Sequence, residues 1–328
     1  MPSQVGIVAA ACVLPARRRR VLDLFREECG PSANAPDIGI DEVPAVENET
    51  GAALALSAAQ AALQQTGITG AQLDVIVDYT ILPQDYLVPA WNMSNCLQHE
   101  LGASKAFTVG FSGGGSSNFL VALTSAVALL RANEKLQTAL LVGADLTLPG
   151  NRMLHPADPV SVLGDSAGAV VLRRDSPANV FVDAELLSDG TQHDVCYIPG
   201  GALAHPDSPS LYQMLLDKKR YDQTSKAVIL RQMTNTVLER ARIGLNDVAF
   251  ALYPNLSRQD QAEFQQVLGL KPEQICSSAL RSHGHLQGTD FVVNYLAMVE
   301  SGAVKPGEYF LAASHGMGFL PAVSLFRA

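Results

Sequence analysis

The chain has 328 residues, of which 48% are apolar and 17% charged, and its formal net charge is −9. That balance fits a globule with a large buried core in one or two units, and the missing basic footprint excludes a nucleic-acid role. The five cysteines, Cys12, Cys29, Cys96, Cys196 and Cys276, are odd in number and form no C-x-x-C pair, so neither a disulfide framework nor a structural zinc site is indicated.

MPSQVGIVAAACVLP has no charged residue ahead of its apolar stretch, and Pro15 ends it early, so 5–14 reads as a first strand and not as a signal peptide. The basic run Arg17, Arg18, Arg19, Arg20 reads as a solvated loop or as a site for an anionic ligand such as a nucleotide-bearing cofactor or an acidic carrier. A helix is expected over 51–67, closed by Gly67. A strand follows over 73–82, a helix over 89–102, a strand over 106–110, a helix over 119–133, and strands over 136–146 and 168–175. This alternation predicts a mostly parallel sheet covered on both faces. The scheme then repeats: strand 180–188, helix 225–242, strand 248–255, helices 257–269 and 288–302, and the closing strands EYFLAAS and PAVSLFR. Two units are expected, 1–177 and 178–328. The Gly-, Pro-, Asp- and Ser-rich region 189–224 reads as a functional insertion or lid. No run approaches the length of a membrane span, and a cytoplasmic protein with no membrane partner is expected.

The chemistry centres on VGFSGGGSSN, residues 109–118, where three serines crowd one strand-to-helix junction. GFSGG matches the G-x-S-x-G elbow of hydrolases and would make Ser112 a nucleophile. Nothing upstream resembles the oxyanion loop such an enzyme needs, and HGMG at 315–318 lies on the wrong side.

A broader likeness covers nearly the whole chain. LGDSAGAVVL (163–172) after LLVGADL (140–146), together with KPGEYFLAASHGMGFLPAVSLFR (305–327), resembles the ketoacyl-ACP synthase III family. The resemblance implies an α/β thiolase-like fold: two similar βαβαβαββ halves in a five-layer α-β-α-β-α arrangement, normally dimeric. It implies acyl-CoA or acyl carrier protein as substrate and partner, and no cofactor.

The family's catalytic set is Cys, His and Asn, and this sequence departs at each position. No cysteine lies between Cys96 and Cys196, the Val-Pro-His position reads Tyr253-Pro254-Asn255, and the Gly-Asn position reads Gly284-His285. Counted back from Phe119, Ala122 and Leu123, the nucleophile position falls on Ser116, with Ser117 next; a serine there is also a common helix cap. His285 is then the candidate base, because a serine hydroxyl needs one. Asp290 either orients that imidazole or caps the following helix. His283 and His285 are too few to hold a metal and no carboxylate spacing adds a third ligand.

By resemblance, Asn255 faces substrate, Val88 closes the acyl tunnel across the dimer interface, and backbone amides around Gly316 and Gly318 form an oxyanion hole. His315 is either part of that hole or a polar turn residue, and Asp165 is architectural. A base beside a serine suits acyl transfer better than decarboxylation, so the expected activity is a non-decarboxylating acyltransferase of polyketide or other secondary-metabolite biosynthesis. The partner is a second copy or a ketosynthase homologue. A catalytically silent subunit and a hydrolase using Ser112 are the alternatives.

Overall fold

The computed structural model describes residues 3–32, 37–82, 85, 91–148, 150–200, 205, 207–276 and 278–328. The first half contributes strands β1 (Val5–Val13), β2 (Val75–Asp78), β3 (Phe107–Gly110), β4 (Thr138–Asp145) and β5 (Ser166–Arg174). Its helices are α1 (Gly51–Thr66), α2 (Met93–Glu100) and α3 (Asn118–Ala132). The second contributes β6 (Val180–Leu186), β7 (Val248–Leu252), β8 (Tyr309–Gly316) and β9 (Leu320–Arg327). Its helices are α4 (Lys226–Ala241), α5 (Arg258–Leu268) and α6 (Thr289–Ser301).

Hydrogen bonding links the strands in the order β7-β8-β9-β6-β1-β5-β4-β2-β3. The halves meet through one antiparallel pairing, Gly6 with Val180. Within the first half, β2 pairs parallel with β3 and β4, whereas β5 pairs antiparallel with β4 and β1. The second half repeats this, with β7 parallel to β8 and β9 antiparallel to β8 and β6. Among the described residues the counterpart of β3 is a parallel bridge, Ala251 to Ile275.

Successive strand residues face opposite sides of a sheet, and the buried clusters follow that alternation. Ile76, Leu140 and Val142 pack outward with α1 and α2. Val75, Val77, Ala139 and Leu141 pack inward with α3 and α6, as do Phe310 and Ala312 from the other sheet. Leu311 and Ala313 turn outward onto α4 and α5. The result is five layers, with α3 and α6 in the middle. Phe119 of α3 stacks on Phe291 of α6, ring centroids 4.4 Å apart, and so fixes the two central helices to each other near their first turns.

The sheet is not mostly parallel, since the three parallel pairings are outnumbered by five antiparallel ones, and three further points need correction. The arginine run is not a loop: Arg18–Arg20 is a short strand against Glu42–Pro44, and Arg17, Arg18 and Arg19 pair with Glu47, Glu42 and Glu27 at 3.6, 3.9 and 2.6 Å. Three of its four arginines thus face carboxylates of this chain. The segment Gly115–Ala132 is long and apolar enough to cross a membrane, contrary to expectation, but here it forms the core helix α3 with its preceding turn. Helix Val21–Cys29 was missed; it packs Val21, Leu24 and Phe25 against Ile40, Val43 and Val162. Val88 lies outside the described residues.

Candidate active site

A single 3-10 turn, Gly115–Ser117, leads from the glycine run into α3. Gly115 takes φ +52°, and a Cβ there would sit 2.6 Å from the Met317 amide nitrogen and 2.8 Å from Gly316 Cα. A Cβ on Gly316 would sit 1.8 Å from the Gly114 carbonyl oxygen. Side chains are thus excluded from both strands of this contact, and the backbone after β8 lies directly against the turn that carries Ser116. The amide brought to that turn belongs to Met317, between Gly316 and Gly318, inside the loop expected to carry the oxyanion donors.

The loop before α6 is pinned from the other half. His285 N donates to Val162 O and Gly164 N donates to His285 O, each at 3.0 Å. Gly284 takes φ +61°, and a Cβ there would meet Val162 O at 2.5 Å. The LGDSAG stretch therefore holds the histidine loop. Asp165 within it serves architecture, accepting from Val46 N and Thr147 N at 2.8 Å and from the Arg152 guanidinium.

These two loops bring the candidate residues together. Ser116 Oγ lies 2.8 Å from His285 Nε2, and His285 Nδ1 lies 2.5 Å from Asp290 Oδ2. All three are buried. Asp290 also accepts from Leu286 N at 2.9 Å and from Asn255 N at 2.8 Å, so it acts as acceptor throughout. His285 must then carry its proton on Nδ1, which leaves Nε2 free to accept from Ser116. The cap of α6 is Gly288, and Asp290, two residues on, points at the imidazole.

The remaining candidates fall elsewhere. Ser117 is fully buried with no partner for its hydroxyl among the described residues. Ser112 is exposed, and no histidine hydrogen-bonds it among the described residues. His283 pairs with Ser282 at 2.6 Å, so the two histidines of H-x-H diverge. His315 sits among Tyr221, Tyr253 and Asp260, its Nε2 3.8 Å from Asp260 Oδ1. Asn255 does not face a ligand as expected: it is fully buried, and its amide is spent on Asp290, Asn294 and Gln261.

A small cavity of about 20 Å³ lies beside the serine, lined by Ser116, Leu120, Leu252, Phe291 and Ala312 among others. Two titratable groups border the site electrostatically. Burial, reinforced by the charge of Asp290, pushes the Cys12 thiol up to about 12, so it is not a concealed thiolate. Burial, with Asp78 adding repulsion, raises the Asp145 carboxyl to about 7 even though Ile81 N and Leu82 N donate to it and the His285 charge works the other way.

Comparison with known proteins fixes the family and the fold. The family model for 3-oxoacyl-[acyl-carrier-protein (ACP)] synthase III matches residues 113–190, which include the serine turn and the LGDSAG stretch. The chain is 30% identical over 296 residues to β-ketoacyl-[acyl-carrier-protein] synthase III of Rhodospirillum rubrum, covering 86% of each chain. The chain belongs to the β-ketoacyl-[acyl-carrier-protein] synthase III family. Among solved structures, 3-oxoacyl-(acyl carrier protein) synthase III of Pseudomonas aeruginosa superposes with a TM-score of 0.82 at 23% identity over 99% of this chain and 98% of that one. The acyltransferase ChlB3 superposes with a TM-score of 0.81 at 22% identity, over 99% and 98%. The thiolase-like fold of this synthase III family accounts for the two half-sheets and the central helix pair.

Proposed function

We propose that this synthase III family member is an acyltransferase that works through a serine ester. The observation that carries the reading is the continuous line Ser116 Oγ, His285 Nε2, His285 Nδ1, Asp290 Oδ2, with spacings of 2.8 and 2.5 Å. A serine hydroxyl is a weak nucleophile until a base takes its proton, and His285 stands where that base must be. Ser116 Oγ attacks the carbonyl carbon of an acyl-CoA or acyl-ACP thioester while its proton passes to His285 Nε2. The C–S bond then breaks and the thiol departs with that proton. The ester is discharged onto an acceptor, a carrier-protein thiol or a small nucleophile, by the reverse sequence.

Amides at the start of α3 and at Met317 are the donors for the oxyanion. Decarboxylation of a malonyl group would need donors fixed where carbanion charge develops, and Asn255 has none to spare. A role in polyketide or other secondary metabolism fits an enzyme that moves acyl groups without condensing them. The likeness to the acyltransferase ChlB3 supports the acyl-transfer part of that reading. The active unit is a dimer of identical or homologous subunits; Phe107 on the edge strand β3 is 44% exposed, which suits a covered edge.

The test supplies malonyl-CoA and acetyl-CoA labelled in the acyl group, with an acyl carrier protein as acceptor. The expected product is labelled carrier protein without release of CO2. Robust decarboxylation would refute the non-condensing assignment.

A further inference from the structure

Asp290 is held more completely than a general-purpose orienting carboxylate requires. Its Oδ2 accepts from His285 Nδ1 at 2.5 Å and Asn255 N at 2.8 Å, and its Oδ1 accepts from Leu286 N at 2.9 Å and Asn255 Nδ2 at 3.1 Å. Asn255 thus donates once to each oxygen. Behind it, Asn255 Oδ1 accepts from Gln261 Nε2 at 3.2 Å, and Asn294 Nδ2 donates to Tyr253 O at 2.8 Å. Asn255 and Asn294 are both fully buried, and Gln261 is 5% exposed. The amide orientation follows from its neighbours: turned over, Asn255 would set its oxygen against the carboxylate and its NH2 group against the NH2 of Gln261.

We propose that Asn255 is a positioning residue that clamps both oxygens of Asp290 and so holds His285 in the tautomer and orientation that accept the Ser116 proton. Backbone amides of Leu286 and Asn255 already hold one oxygen each; the Asn255 side chain adds a second donor to Oδ1 and ties the carboxylate plane to Gln261 and Asn294, which narrows its broad terminal torsion. The clamp is delivered by the segment that follows β7, so the strand end of the second half sets the geometry of the loop before α6. Gln261 on α5 and Asn294 on α6 fix the clamp in turn.

The titratable groups around this cluster are His285, His283 and Cys12, with Asp145 acting on the imidazole from β4. All of them are unchanged by substitution at 255, so comparison with the parent chain isolates the clamp.

The kinetic half of the test rests on the serine-ester reading, and the spectroscopic half does not. In the full chain, Asn255→Ala removes the Nδ2 bond to Oδ1 and keeps the backbone donors, so Ser116 acylation is expected to slow by roughly ten-fold, the low end for losing an outer-shell partner. Asn255→Asp is nearly isosteric. While protonated, the introduced carboxyl still donates to Asp290; once ionised, it faces a like charge across hydrogen-bond distance. Its rate should approach that of the parent at acid pH and collapse as pH rises, a falling limb the parent lacks. A merely structural role would give a uniform loss instead.

Independently, a chain with 15N-labelled histidine should show a far-downfield proton on His285 Nδ1. That resonance should shift or broaden in Asn255→Ala and stay in place in Ser282→Ala, which touches only His283. If no thioester acylates Ser116 but the resonance responds, the clamp stands and the acyl-transfer reading falls. An unmoved resonance in folded Asn255→Ala, or an Asn255→Asp profile parallel to the parent at every pH, overturns the clamp. Should Asn255→Ala fail to fold, the Asn255→Asp profile decides alone.

Discussion

The two halves share one topology, and the turn that opens the central helix in each lies at the junction between them. In the first half the glycine run leads through Gly115–Ser117 into α3 and presents a hydroxyl. In the second, HGHLQG leads through Gly288 into α6 and presents an imidazole and a carboxylate. The positive ends of both helices converge there, where they favour a developing alkoxide on one side and a carboxylate on the other. Repetition supplies two equivalent helix starts, and the proposed site draws its hydroxyl from one and its imidazole and carboxylate from the other, so it needs both halves.

The comparison breaks most sharply when either member of the dyad is removed. Ser116→Ala should eliminate the ester, and His285→Ala should cut acylation by about 10²–10⁴-fold. The double variant should lose little more than the worse single one, because the residues act as a unit. Stopped-flow release of the thiol from acyl-CoA measures both. Asp290→Asn follows, with a loss of up to about 10⁴-fold, since an amide there permits the wrong imidazole tautomer. Gly115→Ala probes the contact between the first-half turn and the loop after β8. A side chain at φ +52° and 2.6 Å from Met317 N should cost about 1–3 kcal/mol by thermal denaturation and slow acylation as the amide is displaced. Ser112→Ala should leave most activity, which separates the exposed serine from the buried one.

A further effect, on stability and not on acylation, concerns pH. The Asp145 carboxyl is raised from 3.8 to about 7 in the folded chain. The folded state therefore binds the extra proton between about pH 4 and 7, and stability from this group is full below pH 4 and lost as pH rises through 7. Asp145→Asn keeps an acceptor for Ile81 N and Leu82 N and should flatten that part of the Tm profile. A parent profile that rises across the window would count against it.

Much of the architecture was legible because long apolar runs carry their own period. VGIVAAACVL and LQTALLVGADL alternate onto two buried faces, and α1 ends at a glycine in the left-handed region. Ser116 and His285 were legible as positions in a motif order. What escaped depended on partners distant in sequence. The arginine run pairs through carboxylates at Glu27, Glu42 and Glu47, so it looked like a solvated loop until those partners were placed. The third strand of the second half is one bridge at Ile275, too short to have a period. Asn255 was placed toward substrate by position, but its direction is set by Asp290, Gln261 and Asn294, which meet only in the folded chain. Asp290 was left between cap and orienter because both roles put an acid at the start of a helix.

The central claim is that Ser116 becomes an ester through His285. The most direct measurement is peptide-level mass spectrometry after brief incubation of the full chain with acetyl- or propionyl-CoA and acid quench. The account predicts one acyl group on the Ser116 peptide, absent in Ser116→Ala and strongly reduced in His285→Ala. An adduct on Ser112 that survives Ser116→Ala, or no acylated serine with any short- or medium-chain thioester, would contradict it.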